Sequence, residues 1–133
     1  MGTNTKVLLV EDSKLLRIAI ERVLAKAGFE VSTAEDGEEA LRLAYHRLPD
    51  VILLDLLLPK ISGPDVLRAL KENPATLHIP VIILSCLSQR NEERLLKEGA
   101  AAYFEKGALD LENHPERLVA AVQDVLMRLA EQR

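Results

Sequence analysis

Five short apolar runs recur along the chain: KVLLV (6–10), EVSTA (30–34), DVILL (50–54), PVIIL (80–84) and AAYF (101–104). They are rich in β-branched residues or leucine and are spaced by about 20 to 30 residues, the period of a strand followed by a helix. Helical patterns lie between them. Leu16, Ile20, Val23, Leu24 and Ala27 form one apolar stripe, stopped by Gly28, and Ala40, Leu41, Ala44 and Leu48 form a shorter one before Pro49. Val66, Leu67 and Leu70 follow Gly63-Pro64, with Pro74 beyond their helix; Leu95 and Leu96 mark a more polar helix that Gly99 closes. The last helix carries Leu118, Val122, Val125, Leu126 and Leu129 on one face, with Pro115 at its first turn. Strict alternation, with central runs apolar on both faces, predicts a parallel sheet covered on both sides, an α/β fold. Right-handed crossovers most simply give the doubly wound strand order 2-1-3-4-5, whose crevice lies at the carboxyl ends of strands 1 and 3.

A length of 133 residues suits one domain, and 48% apolar content can fill its core; with 3% aromatics that core must be Leu, Val, Ile and Ala. No run of eighteen apolar residues occurs, and MGTNTK lacks a secretion signal, so a cytoplasmic protein is expected. The single cysteine, Cys86, excludes an internal disulfide or a cysteine-based zinc site and is expected to be a small buried thiol. The net charge of −4 is spread without a basic block, so nothing points to nucleic acid as a direct partner.

Polar residues stand at the predicted strand ends. Glu11 and Asp12 follow strand 1, Asp55 follows strand 3, Ser85 follows strand 4 and Lys106 lies just past strand 5. Asp55 is the least easily explained by packing, because an unpaired carboxylate in the apolar run VILLDLLLP would cost several kcal/mol, on the order of a small domain's stability. It therefore ends the buried run and faces the crevice. Strands about 4.8 Å apart can bring the Asp12 and Asp55 carboxylates within roughly 5 Å. At an effective dielectric near 20 such a pair repels by roughly 3 kcal/mol, which a cation would offset. Oxygen ligands without nearby His or Cys favour Mg²⁺ over Zn²⁺. A carboxylate so placed can attack phosphorus, with the metal and Lys106 neutralising charge and the Ser85 hydroxyl donating a hydrogen bond. Taken singly, each residue has a plainer role. Asp12 or Ser13 can cap the first helix, Ser85 can be a strand-end hydroxyl, Lys106 a solvated lysine and Tyr103 a packing aromatic. Their conjunction at one sheet edge carries the reading. His46, His78 and His114 show no ligand spacing.

The motifs VLLVEDS, DVILLDLLLPKISG, PVIILS and GAAAYFEKG together resemble the receiver domain of the two-component response regulator family, from Lys6 to about Leu129. The resemblance implies a flavodoxin-like (βα)₅ fold in which Asp55 accepts a phosphoryl group from a sensor histidine kinase or a histidine phosphotransfer protein. It implies that Asp12, Asp55 and the backbone carbonyl of Leu57 hold Mg²⁺, with Glu11 acting through water. Ser85 and Tyr103 would form the switch pair, and the helix 4, strand 5, helix 5 face would meet a downstream protein. It also singles out Leu57 and Leu87, two residues after Asp55 and Ser85, as the positions that tune phosphate lifetime; both being leucine, slow self-dephosphorylation is expected.

One departure is substantial. Gly107 stands where the family has a proline joined by a cis bond; cis before glycine would cost about 2.5 to 4 kcal/mol, so a trans bond is expected and Lys106 must reach the site by its long stem. The reading is a single receiver over 1–133 without an output domain, a signalling phosphoacceptor that is not otherwise an enzyme. The alternatives are an aspartyl-phosphate phosphohydrolase, whose second acid would fall at Leu57, and a phosphate-independent pseudo-receiver, against which the intact acidic pair, Asp55 and Lys106 speak.

Overall fold

The computed structural model describes residues 5–86 and 92–132. Its five strands are β1 (Lys6–Val10), β2 (Glu30–Ala34), β3 (Val51–Asp55), β4 (Val81–Ser85) and β5 (Ala102–Glu105). All pair in parallel, in the expected order β2-β1-β3-β4-β5. The last three begin one residue later than the apolar runs suggest. Asp50 precedes the strand, its amide donating to the Lys6 carbonyl at 2.9 Å and its carboxylate accepting the Lys6 amide at 2.8 Å, and Pro80 has no N–H to donate. The same shift takes Asp55 and Ser85 inside their strands as terminal residues, opposite Leu84 and Glu105.

The helices are α1 (Lys14–Lys26), α2 (Gly37–Arg47), α3 (Gly63–Glu72), α4 (Glu92–Lys97) and α5 (Glu116–Glu131). Local chemistry starts three of them: the side chains of Ser13, Asp36 and Ser62 accept the amides of Leu16, Glu39 and Asp65. The core divides by strand parity. Leu8, Val10, Ile52, Leu54, Val81 and Ile83 pack against residues of α2, α3 and α4. Val7, Leu9, Val51, Leu53, Ile82 and Leu84 face Ile20 and Leu24 of α1 and Leu118, Val122 and Val125 of α5. β1, β3 and β4 are thus buried on both faces, which is why their sequences read as continuous apolar runs.

Two expectations fail. Leu48, counted in the apolar stripe of α2, lies past the helix end in the left-handed region (φ 45°) and is about half exposed, because Pro49 beyond it cannot continue the helix. Cys86 is exposed rather than buried, because β4 ends at Ser85 and the chain leaves the sheet there.

Candidate functional site

The site grows out of the parity of three strands. Beyond the end of β1, Glu11 continues its ladder by donating its amide to the Ala34 carbonyl at 3.0 Å. Its side chain falls on the face of Val7 and Leu9, the one packed by α1 and α5, and Asp55 falls on that same face beyond Val51 and Leu53. Lys106 continues the face that Phe104 occupies on β5, two strands from β3, so its side chain must cross the end of β4, roughly 9 to 10 Å. The stem reaches. Its Nζ lies 2.8 Å from Glu11 Oε1 and 3.0 Å from Asp55 Oδ2. Among the described residues no peptide bond is cis, so the Lys106–Gly107 bond is trans, and a 3-10 turn over Lys106–Ala108 places the lysine without a proline.

The groups are shielded from water: Glu11 is 0% and Asp55 3% exposed, and the Lys106 side chain 18%. Glu11 Oε2 accepts the Ser13 amide at 3.1 Å and Asp55 Oδ1 the Leu57 amide at 3.3 Å. Burial raises the Glu11 pKa above its ordinary value, opposed by the bonds from Lys106 and the Ser13 amide and reinforced by the charge on Asp55. For Lys106 burial alone acts downward, but the bonds to Glu11 and Asp55 outweigh it and leave the ammonium above its usual range.

Asp12 completes the cluster. Ser13, not Asp12, caps α1, which leaves the exposed Asp12 carboxylate available. One oxygen from each of Glu11, Asp12 and Asp55 lies within 4.8 Å of the others. At that spacing and a dielectric near 20, each like-charged pair repels by about 3.5 kcal/mol, and Lys106 supplies one positive charge against three negative. An all-carboxylate set, two members buried and one open to water, suits a hard cation that keeps part of its hydration; a metal ion fits these residues. Gly63 lets the loop after β3 close here. A Cβ on it would lie 2.5 Å from both the Asp55 carbonyl oxygen and the Leu56 Cα.

Ser85 is 1% exposed at the end of β4. Tyr103 is half-buried on β5, opposite Ile83 and therefore on the same sheet face as Ser85 two residues on, the face packed by α2, α3 and α4. Leu57 is 56% exposed at the mouth. Leu87 lies outside the described residues. Two participants escaped the sequence reading. Arg17 donates from Nη1 to the Glu11 carbonyl at 3.0 Å and pairs through Nη2 with Glu35 at 2.9 Å. A signal existed: Arg17 is three and seven residues before Ile20 and Leu24, so it lies on the buried stripe of α1, where a charge needs a partner.

The match to the model of the response regulator receiver domain covers residues 7–123. The chain belongs to the receiver domain family of response regulators. Among curated relatives, this receiver is 47% identical over 109 residues to the gliding motility regulatory protein of Myxococcus xanthus, covering 80% of the chain but 14% of that protein. It is 37% identical over 101 residues to the polar-differentiation response regulator DivK of Brucella anthropi, covering 75% of the chain and 82% of that protein. Among solved structures, the receiver domain of the Francisella response regulator 1452 superposes with a TM-score of 0.83 at 31% identity, over 95% of this chain and 99% of that one. Receivers of this family are modules of two-component signalling. Among the described residues no helix is long and apolar enough to cross a membrane.

Proposed function

We propose that this receiver is phosphorylated on Asp55 in a Mg²⁺-dependent reaction, by a histidine kinase or a histidine phosphotransfer protein, and that the phosphate alters a partner-binding face. The observation that carries the reading is the buried carboxylate of Asp55, held at the end of a central strand by Lys106 and ringed by two further acids within 4.8 Å. A carboxylate oxygen of Asp55 forms the new O–P bond as the P–N bond of the phosphohistidine breaks, and the imidazole nitrogen leaves with the bonding pair. Bound Mg²⁺ supplies electrophilic stabilisation of the phosphoryl oxygens. Asp12, Asp55 and the Leu57 carbonyl would hold it, with Glu11 acting through water. The Lys106 ammonium, at the Asp55 oxygen, would neutralise charge on the transferred group, and the Ser85 hydroxyl would move over the end of β4 to donate to it. Movement of that hydroxyl, followed by an inward turn of Tyr103, changes the surface of α4, β5 and α5, where a downstream protein would bind. The alternative of a phosphohydrolase lacks its second acid, since Leu57 occupies that position.

The test is labelling with acetyl phosphate. The wild type should take up one phosphoryl group only with Mg²⁺ present, and Asp55→Asn should take up none; stable wild-type labelling of Asp55→Asn would end the assignment. Ser85→Ala should still label, while losing the amide-shift changes around Tyr103.

A further inference from the structure

Both loops that form the acidic cluster lean on a turn that contributes nothing to it, residues 35–37 between β2 and α2. On one side, Arg17 bridges to it: Nη2 pairs with Glu35 at 2.9 Å while Nη1 donates to the carbonyls of Glu11 at 3.0 Å and Asp12 at 3.5 Å, with the Arg17 side chain only 11% exposed. On the other side, Asp36 Oδ2 lies 3.6 Å from the Lys60 ammonium, and the Gly37 amide donates to the Pro59 carbonyl at 3.3 Å. Gly37 also meets Ile61 so closely that a Cβ there would sit 2.7 Å from the Ile61 Cβ.

The Arg17 contacts bear directly on the Glu11 carboxylate. A trans peptide unit points its C=O and N–H in opposite directions. Arg17 holds the Asp12 carbonyl, so the Ser13 N–H of that same unit is fixed toward Glu11 Oε2, 3.1 Å away. From there the chain of contacts runs through Glu11 Oε1 to Lys106 and on to Asp55. We infer that Arg17, anchored by Glu35, is a positioning residue that sets the acidic pair for cation binding, with the turn at 35–37 as the common brace of both loops. This inference rests on the reading that the cluster binds Mg²⁺.

The sign of the effect separates positioning from charge. Removing a cation beside a cation site should, through charge alone, tighten Mg²⁺ binding. Loss of an outer partner that orients a ligand weakens it, typically by about ten-fold or more. The experiment titrates the full chain with Mg²⁺ alone, reading backbone amide shifts, for wild type, Arg17→Met, Arg17→Lys and Glu35→Gln; the Mg²⁺ concentration for half-maximal acetyl phosphate labelling is measured in parallel. Arg17→Met is expected to weaken Mg²⁺ binding about ten-fold, with labelling close to wild type once Mg²⁺ saturates. Arg17→Lys keeps the charge but offers one nitrogen where the guanidinium uses two, and is expected to stay weakened. Glu35 is exposed, so Glu35→Gln keeps the test open should Arg17→Met not fold, and is expected to shift the same way by less. Unchanged or tighter binding in Arg17→Met and Glu35→Gln, or full recovery in Arg17→Lys, would overturn the inference. A wild type that shows no Mg²⁺-dependent shifts would instead remove the cation reading beneath it.

Discussion

Replacing Lys106 by methionine should convert an internal ion pair into a stability defect that acid and Mg²⁺ both relieve. The substitution keeps the apolar stem and removes the ammonium that lies 2.8 Å from Glu11 and 3.0 Å from Asp55. Two buried carboxylates, which repel by about 3.5 kcal/mol near 4.8 Å at a dielectric of 20, then lose the counter-charge that offsets that repulsion. Protonation sets a ceiling on that cost. Neutralising Glu11 at pH 7 from its ordinary 4.5 takes two and a half units at 1.36 kcal/mol each, about 3.4 kcal/mol. The two routes agree, so a loss of about 3 kcal/mol is expected at pH 7, a large part of a typical domain's stability. The sign with pH follows from linkage. In the variant the folded pKa of Glu11 is raised above its unfolded value, so the penalty is present above the folded pKa and fades as pH falls toward 4.5. At pH 5.5 the ceiling is about 1.4 kcal/mol. Urea melts of wild type and variant at pH 5.5 and 7, with and without Mg²⁺, measure this. The gap should narrow in acid and narrow again with Mg²⁺, which should bind the variant more tightly than the wild type. A gap of equal size under all four conditions would refute the counter-ion argument.

Asp36→Ala removes the cap of α2, whose carboxylate accepts a hydrogen bond from the Glu39 amide at 2.8 Å, and should lower stability by about 1 kcal/mol, roughly 3 °C in Tm. Its pKa is held below 3.8, chiefly by that amide bond, so the difference from wild type should be full above 3.8 and disappear in melts taken as pH falls through the lower folded value. Gly63→Ala must push the loop after β3 away from the Asp55 carbonyl; a loss of about 1 to 3 kcal/mol is expected, with slower acetyl phosphate labelling. Thr76→Val keeps shape but removes the buried donor to the Leu70 carbonyl at 2.8 Å, and a urea melt should show a loss of about 1 kcal/mol or more. Leu57→Asn offers a polar group to water at the mouth of the site, and aspartyl phosphate decay under saturating Mg²⁺ should quicken by about ten-fold, some 1.4 kcal/mol of barrier.

The strand order was legible because only an α/β sheet answers to apolar runs alternating with amphipathic stripes, and the clustering of Glu11, Asp12, Asp55 and Lys106 because these residues end those runs. The one-residue offset of β3 and β4 was not, since it depends on Asp50 being taken up by the Lys6 amide and on Pro80 lacking a donor. Nor was the direct contact of Glu11 with Lys106. It joins residues 95 positions apart, and only the parity shared by β1, β3 and β5 puts them on one face. Arg17 was passed over because a helix stripe read for its leucines hides the charge that interrupts it. Its partner Glu35 becomes adjacent only once β1 and β2 pair in register.

Strand parity also decides who shares a wall. Glu11, Asp55 and Lys106 stand on the α1/α5 side of the sheet, whereas Ser85 and Tyr103 belong to the opposite side, with α2, α3 and α4. On the proposed mechanism the reacting groups and the switch pair occupy different rooms, and the rim of β4 is the doorway between them. Helix faces on the readout side can then diversify toward new partners without touching the groups that handle phosphate. A single-residue slip of β4 would turn the Ser85 hydroxyl into the wrong room, leaving a receiver that takes phosphate and reports nothing.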